Sequence, residues 1–192
     1  METVKKEKVF SIDCYHKNDY LTSSEEINRE MLRVVASYEY NNNNYDFDDA
    51  EEYLRDLNND FFTNDNIDVR LYVLNNNIDK MPVCFALFSH DKERNDWHLE
   101  YICVNEEFSG SGFAGLLLKV CAKDIAKTEF PLITSVVKKT NEASIGLHNS
   151  LAKIPGVEFS CCELDSHRYS YSIGLQKIKN GAIEKDVEEI MF

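Results

Sequence analysis

"SGSGFAG", residues 109–115, lies between two apolar runs, "LEYICV" at 99–104 and "GLLLKVCA" at 115–122. The first run is typical of a strand and the second of a helix, so the glycines belong to a strand-to-helix turn. Amides at a helix N-terminus point outward and attract anions, and glycine lets a ligand approach the backbone. The stretch therefore predicts a phosphate or pyrophosphate site, with an ordinary structural turn as the alternative.

Two familiar glycine motifs fit this stretch poorly. The spacing Gly110-x-Gly112-x-x-Gly115 has the form of the dinucleotide fingerprint, which requires an acidic residue at the end of the next strand. That strand ends instead in Lys138-Lys139, and the hairpins predicted before the motif do not belong in a doubly wound sheet. A P-loop is excluded because no Gly-Lys-Ser/Thr follows the glycines. These observations argue against a nicotinamide enzyme.

The apolar pattern along the chain predicts the order β-α-α-β-β-β-α-β-α-β-β. The connectors between the strands 67–75, 82–90 and 96–104 are short, which indicates antiparallel hairpins. One β-α-β crossover then leads through a helix at 113–128 to a strand at 132–139. The other predicted elements are strands at 8–15, 157–164 and 168–177, helices at 23–40, 46–62 and 141–154, and a tail at 178–192. The predicted fold class is α/β (α+β), a mixed, mostly antiparallel central sheet with one β-α-β crossover flanked by helices, in a single domain spanning 1–192.

Charge is strong and uneven. The net charge is −13, and residues 39–68 contain ten acidic side chains with Arg55 as their only base. Such a surface repels nucleic acid and attracts cations, although it also serves solubility. No apolar run approaches the roughly 20 residues of a membrane helix, and the charged first residues, "METVKKEKVF", lack the apolar core of a signal peptide. We therefore expect a cytoplasmic protein with no nucleic-acid or membrane partner, and the sequence leaves a homodimer open.

The six cysteines contain no C-x-x-C pair, and no cluster of His and Cys has metal-ligand spacing. We expect reduced thiols and no metal site. Cys103 lies in a predicted strand without a base beside it, so we expect it to be inert rather than a nucleophile.

Residues 99–154 resemble the GCN5-related N-acetyltransferase family (GNAT). The acetyl-CoA motif of that family is Arg/Gln-x-x-Gly-x-Gly/Ala after a strand, and "SGSGFA" has Gly112 and Ala114 at the two small positions. Ser109 replaces the usual Arg or Gln. The segment "LEYICVNEEF" before the turn is similar to the family's strand and connector, with Val104 at its characteristic valine.

A second motif follows one strand later. "NEASIGLHNSL" is similar to the family's Asn-x-x-Ala/Ser segment, which Asn141, Ser144 and Leu147 fit. His148 stands where Tyr is common. Together the two motifs imply a GNAT-like fold that binds acetyl-CoA between residues 96 and 154.

The resemblance implies which residues bind acetyl-CoA. The main chain of one strand would pair with the pantetheine arm, and the amides of the turn would hold the pyrophosphate. Asn141 would cap its helix and also contact the cofactor. The residues so implied are Ile102, Cys103, Val104, Ser109, Gly110, Ser111, Gly112, Phe113, Ala114, Gly115, Asn141 and Ser144.

The resemblance also implies direct acetyl transfer to an amine, which must first lose a proton to a base. Glu100 is the first candidate for this base and His98 the second, and strand alternation predicts that Glu100, Ile102 and Val104 share one face. The N–H near Val104 would stabilise the developing oxyanion. His148 would supply a proton to the departing thiolate.

The resemblance further implies that the acidic helical segment 23–66 borders the acceptor site. Its charge then predicts a cationic acceptor: a polyamine, an aminoglycoside, or a lysine-rich or amino-terminal peptide. Two alternatives remain at the level of sequence. Ser109 and His148 at variant positions are compatible with a protein that binds acyl-CoA without catalysis. The acidic face is also compatible with a module that binds a basic protein.

Overall fold

Seven strands form one sheet in the residues that the computed structural model describes, 9–17, 64–79 and 81–176. The strands are β1 (Phe10–His16), β2 (Ile67–Asn76), β3 (Met81–Asp91), β4 (Trp97–Val104), β5 (Leu132–Lys138), β6 (Glu158–Glu163) and β7 (Arg168–Gly174). Their order across the sheet is β1-β2-β3-β4-β5-β7-β6. The pair β4/β5 is parallel and every other neighbouring pair is antiparallel.

Two helices connect the strands of the second half of the described chain. Helix α1 (Phe113–Ile125) forms the crossover from β4 to β5, and α2 (Glu142–Leu151) leads from β5 toward β6. The mixed, mostly antiparallel sheet with a single β-α-β crossover confirms the fold class predicted from the sequence. The predicted helices 23–40 and 46–62 and the tail 178–192 lie outside the described residues, as does most of the acidic segment.

Helix α1 packs on the sheet through an apolar face, because apolar residues recur every three to four positions in its sequence. Leu117, Cys121 and Ile125 are all fully buried. They join a core cluster with Phe88, among other residues of β2, β3 and β4. Replacing a buried leucine such as Leu117 by Ala costs about 2–5 kcal/mol. The crossover helix is therefore fixed firmly against the strands that form the site.

Strand β3 is central and buried on both faces, since Val83, Cys84, Phe85, Ala86, Leu87 and Phe88 are all inaccessible to solvent. A continuous apolar run of this kind is expected for a strand covered on both sides. One polar tie anchors β2 to α1: Asp124 accepts a hydrogen bond from Arg70 at 2.6 Å and another from the Tyr72 hydroxyl at 2.8 Å.

Strand β4 contains a β-bulge at Glu100. Leu99 pairs with Phe88 and Tyr101 with Leu87, so Glu100 is an extra residue between two successive pairs. The bulge reverses the alternation of side chains beyond it, because side chains of directly opposite residues share a face.

The prediction that Glu100 shares a face with Ile102 and Val104 is therefore wrong. Ile102 pairs with Ala86, and both Ile102 and Val104 pack against the core cluster on the side of α1. Glu100 lies on the opposite face, where it contacts Ser89. No helix in the described part of the chain is long and apolar enough to cross a membrane.

Candidate active site

Strands β4 and β5 run side by side only at their first residues and then separate. Trp97 pairs with Ile133 and His98 with Thr134, and no later residue of β4 pairs with β5 in the described sheet. Strand β5 pairs instead with β7 along its whole length. The edge of a strand carries unpaired N–H and C=O groups. The fork between β4 and β5 therefore offers main-chain hydrogen-bonding groups to a ligand.

Backbone alternation along β4 decides which residues offer these groups. The Asn105 N–H donates to the Val83 carbonyl of β3 at 2.8 Å, so the backbone of Asn105 faces β3. The N–H and C=O of Cys103, two residues earlier, face the same way. Those of Ile102 and Val104 point toward the fork. Of the three residues predicted to hold pantetheine, Ile102 and Val104 thus present their backbone to the fork, whereas Cys103 presents it to β3.

A cleft of about 680 Å³ lies between the separated strands. Its walls come from residues 99–102 of β4, residues 135–138 of β5 and the start of α2. The residues that the sequence predicted for catalysis or acetyl-CoA binding and that line the cleft are Glu100, Ile102, Asn141, Ser144 and His148. Its lining does not include His98, Cys103, Val104 or the glycine turn (109–115).

The glycine turn, 109–115, contains two residues in the left-handed region. Gly110 has φ 75° and Gly112 has φ 81°. A Cβ added at either glycine would meet no atom within 4 Å. The backbone conformation therefore requires glycine there, and open space remains beside the turn. Gly115 differs, because its Cβ position faces Leu147 Cδ1 of α2 at 3.8 Å.

The first turn of α1 has backbone donors to spare. Its N-cap residue is Gly112, which has no side chain to cap the helix. The amides of Ser109 and Ser111 are used within the turn by the carbonyls of Glu106 and Phe108. The N–H groups at 113–115 have no partner among the described residues. Such amides at the positive end of a helix of 13 residues form a site for a phosphate group.

Helix α2 begins at the cleft with the cap that the sequence predicted. The Asn141 Oδ1 accepts a hydrogen bond from the Ser144 N–H at 3.0 Å. This contact satisfies one of the free amides of the first turn and fixes how the chain enters the helix. Asn141 is exposed at the cleft, so its amide group is also accessible to a ligand.

His148 lies in the wall of the cleft but is only 1% exposed. Its Nδ1 lies 2.7 Å from the Ser144 carbonyl oxygen and its Nε2 lies 2.7 Å from Ser135 Oγ. A carbonyl only accepts, so Nδ1 carries the proton, and in the neutral ring Nε2 accepts from the Ser135 hydroxyl. The ring also stacks on Tyr171, with 4.7 Å between ring centroids.

Burial lowers the pKa of His148, while its hydrogen bond to the Ser144 backbone opposes this effect. The neutral ring has its one proton on Nδ1, where the Ser144 carbonyl binds it. These contacts indicate that His148 positions Ser135 and α2. They are less suited to the transfer of a proton from His148 to a thiolate. The acid role remains a prediction from the sequence.

Glu100 lines the cleft at the bulge, and its Oε1 accepts a hydrogen bond from the Ser89 hydroxyl. The bond fixes one carboxylate oxygen against β3. A carboxylate with one oxygen fixed in this way retains further lone pairs for a ligand. Glu100 is thus positioned at the fork by its contact with β3.

His98 stands where the fork begins and belongs to a chain of polar contacts. Its Nδ1 lies 2.9 Å from Thr134 Oγ1, which lies 2.6 Å from Asp96 Oδ2. Arg94 grips the same carboxylate with Nε at 2.9 Å and Nη2 at 2.6 Å. Because His98 pairs with Ser89 across the strands, it shares a face with Glu100.

Comparison with known proteins supports what this geometry indicates. The model of the acetyltransferase (GNAT) family matches residues 32–152. The chain belongs to the GNAT family. It is accordingly an acyl-CoA-dependent N-acetyltransferase that uses acetyl-CoA as co-substrate. A search of curated proteins found no match.

Solved structures share the fold at low sequence identity. A GNAT-family protein from Desulfovibrio desulfuricans has a TM-score of 0.59 at 13% identity, over 86% of this chain and 99% of its own. The PaiA N-acetyltransferase of Thermoplasma acidophilum, in complex with coenzyme A, has a TM-score of 0.55 at 14% identity, over 85% of this chain and 97% of its own. The ribosomal-protein-S18-alanine N-acetyltransferase of Escherichia coli has a TM-score of 0.51 at 13% identity, over 90% of this chain and 97% of its own.

The sequence reasoning missed the hydroxyl residues of β5. Thr134 and Ser135 each bind a histidine, on opposite faces of the strand, and neither has a local signature in the sequence. One signal could have revealed the bulge: the core-facing residues Trp97, Leu99, Ile102 and Val104 change from a spacing of two to three at Glu100. Within the described residues, no group of three His, Cys, Asp or Glu side chains could hold a metal ion.

Proposed function

We propose that this enzyme moves the acetyl group of acetyl-CoA to a primary amine of a cationic acceptor, such as a polyamine, an aminoglycoside, or a peptide or protein amine. The observation that carries the proposal is the fork between β4 and β5, where free main chain, an accessible carboxylate and a cleft of about 680 Å³ meet. Six free cysteines support a reducing, cytoplasmic environment.

The residues around the fork fit acetyl-CoA in two respects. Ile102 and Val104 offer an unpaired strand edge to the amides of the pantetheine arm, as in recognition by strand addition. The glycine turn offers amides at the N-terminus of α1 to the pyrophosphate, with open space beside Gly110 and Gly112. Ser109 adds no positive charge at a position where the family has Arg or Gln, so the helix amides carry more of the phosphate interaction.

The chemistry that follows is a direct transfer. The amine nitrogen bonds to the acetyl carbon, the carbon–sulfur bond breaks, and CoA leaves as the thiolate. One proton of the ammonium group goes to the Glu100 carboxylate before attack, directly or through water, and the second, released as the amide forms, neutralises the departing thiolate. The Val104 N–H faces the fork and would donate to the carbonyl oxygen as negative charge develops there.

His148 has a supporting role in this proposal. Its hydrogen bonds join the Ser144 carbonyl of α2 to the Ser135 hydroxyl of β5. They hold the start of α2, with Asn141 and Ser144, against the cleft. The alternative, in which His148 gives a proton to the thiolate, predicts that H148F loses turnover while acetyl-CoA binding persists.

The acceptor is proposed to be cationic because residues 39–68 contain ten acidic side chains and one base. The test replaces Asp46, Asp48, Asp49, Glu51 and Glu52 by their amides. KM for spermidine should rise while KM for acetyl-CoA stays constant. Unchanged KM values for every cationic amine would contradict the cationic acceptor.

The whole proposal is tested first by melting temperature with acetyl-CoA, CoA, NADH and ATP. A ligand that binds the native state stabilises it by RT ln(1 + [L]/Kd), so acetyl-CoA should raise Tm and NADH should not. CoA release is then measured with spermidine, kanamycin and a lysine-rich peptide. The E100Q variant should retain the Tm shift and lose at least about 10²-fold in kcat, the lower range for a general base. No Tm shift with acetyl-CoA would refute the proposal.

A further inference from the structure

The hydroxyl of Thr134 imposes a direction on the contacts around His98. Thr134 Oγ1 lies 2.6 Å from Asp96 Oδ2 and 2.9 Å from His98 Nδ1. A carboxylate gripped by the Arg94 guanidinium only accepts hydrogen bonds, so the single proton of the Thr134 hydroxyl goes to Asp96. The hydroxyl oxygen is then left to accept, and His98 must donate to it from Nδ1.

This direction fixes the other side of the imidazole ring. With the proton of neutral His98 on Nδ1, Nε2 carries a lone pair and accepts a hydrogen bond. No residue in the described ranges binds Nε2. The ring lies on the same face as Glu100, at the last residue pair before β4 and β5 separate.

We propose that Thr134 and Asp96 are positioning residues that hold His98 as the Nδ1–H tautomer, so that Nε2 accepts a hydrogen bond from the acceptor amine beside Glu100. The inference rests on the proposed function and deepens it. Glu100 takes one proton of the ammonium group, and Nε2 holds a second N–H so that the nitrogen lone pair is directed at the acetyl carbon.

The arrangement selects a class of substrate. A primary ammonium group has three N–H bonds and can serve two acceptors at once, whereas an alcohol or a thiol has a single hydrogen. A site with acceptors at both Glu100 and His98 leaves one of them unpaired when such a substrate binds, and an acceptor that the substrate shields from water without pairing it is costly. The pair therefore favours N-acetylation of primary amines over O- and S-acetylation.

Asp96, the carboxylate that orients Thr134, is buried. Asp96 is 7% exposed, and Arg94 grips both of its carboxylate oxygens. The Asp96 carbonyl also lies 2.9 Å from His90 Nδ1. A carboxylate held by a bidentate guanidinium and a buried backbone has little freedom to turn, which makes it a fixed reference for Thr134.

The decisive test reads the tautomer directly. We would record ¹⁵N spectra of the imidazoles in wild type, T134V and T134S, at about pH 8, where a histidine of ordinary pKa is neutral. An H98Q spectrum assigns His98 among the five histidines. Wild type and T134S should show His98 protonated on Nδ1, and T134V should lose this preference. A wild-type ring protonated on Nε2, or a T134V spectrum equal to wild type, would overturn the inference.

Kinetics separate this inference from the proposed function. With spermidine and acetyl-CoA, T134V should raise KM for spermidine about tenfold or more, the loss expected for a hydrogen bond to a charged group, without changing KM for acetyl-CoA. T134S should stay within about twofold because it keeps the hydroxyl. Equal KM for spermidine in all three proteins would contradict the role of His98 and leave the acetyltransferase intact. Absence of turnover with any amine would contradict the proposed function, and the tautomer would still decide the positioning by Thr134.

Discussion

Ser135 Oγ and His148 Nε2 lie 2.7 Å apart, in a contact that joins strand β5 to helix α2 at the wall of the cleft. Both residues are buried, with exposed fractions of 2% and 1%. A buried polar pair of this kind costs little when complete and a good deal when one partner is missing. The contact is therefore a sensitive point for the stability of the site.

The S135A variant should lower the free energy of unfolding by about 1–3 kcal/mol, because it leaves the buried His148 Nε2 without a donor. S144A provides the control. His148 Nδ1 binds the Ser144 carbonyl at 2.7 Å, which S144A keeps, while the hydroxyl of Ser144 is more distant at 3.5 Å. Denaturant unfolding measures both variants. Equal stability of S135A and S144A would show that the Ser135 contact contributes nothing.

The stability of the protein should depend on the protonation of His148. Burial lowers the pKa of His148 in the folded state, so the unfolded chain binds a proton first as pH falls. The contribution of His148 to the free energy of unfolding is complete above the pKa of a histidine in the unfolded chain, about 6.5. It is lost as pH falls from there toward the lower pKa of His148 in the folded protein. The neighbouring Tyr171 stays neutral in this range, because burial raises its pKa to about 12.

Unfolding free energies between pH 7.5 and about 5 measure this effect. H148Q should show a smaller decline than wild type over that interval. H167Q removes an exposed histidine instead and serves as the control. Parallel pH profiles for wild type and H148Q would contradict the burial of a neutral imidazole at this position.

Alanine substitutions in two glycines should act in opposite directions. Gly112 has φ 81°, where a side chain costs about 1–2 kcal/mol, so G112A should destabilise the protein. Gly146 lies inside α2 with no atom within 4 Å of its Cβ position, so G146A should stabilise by about 0.5–1 kcal/mol. Thermal unfolding compares them. A G112A variant as stable as wild type would contradict the requirement for glycine at this backbone conformation.

Substitutions at Asn141 distinguish its capping role from cofactor binding. N141A removes the acceptor of the Ser144 N–H and should cost about 0.5–2 kcal/mol, whereas N141S keeps a capping oxygen and should cost much less. Acetyl-CoA affinity is measured in both by calorimetry. If Asn141 acts as a cap alone, N141S binds acetyl-CoA as wild type does; a loss in N141S at retained stability shows contact with the cofactor.

The order of the elements followed from local patterns in the sequence. The apolar runs of β2 and β3, the apolar period of α1 and the glycines at its start are properties of short segments, and each fixes one element or turn. The Asn141 cap was readable for the same reason, since its partner Ser144 lies three residues away.

The contacts of the site were less accessible to sequence reasoning. His148 meets Ser135 across 13 residues and His98 meets Thr134 across 36, and both pairs exist only because β4, β5 and α2 come together in the folded chain. The wrong prediction of the face on which Glu100 lies has a different cause. Strict alternation was assumed through β4, but one additional residue interrupts it.

That additional residue shifts the alternation of side chains in β4 by one position. Upstream of Glu100 the even-numbered His98 faces away from α1, and downstream it is the odd-numbered Tyr101 and Cys103 that do so. Deleting Glu100 would make Leu99 and Tyr101 adjacent opposite Phe88 and Leu87, so Ile102 and Val104 would stay in the core with their amides toward the fork. The strand can therefore lose this one residue without a change of register, and the deletion would remove the carboxylate of the site while leaving the core in place.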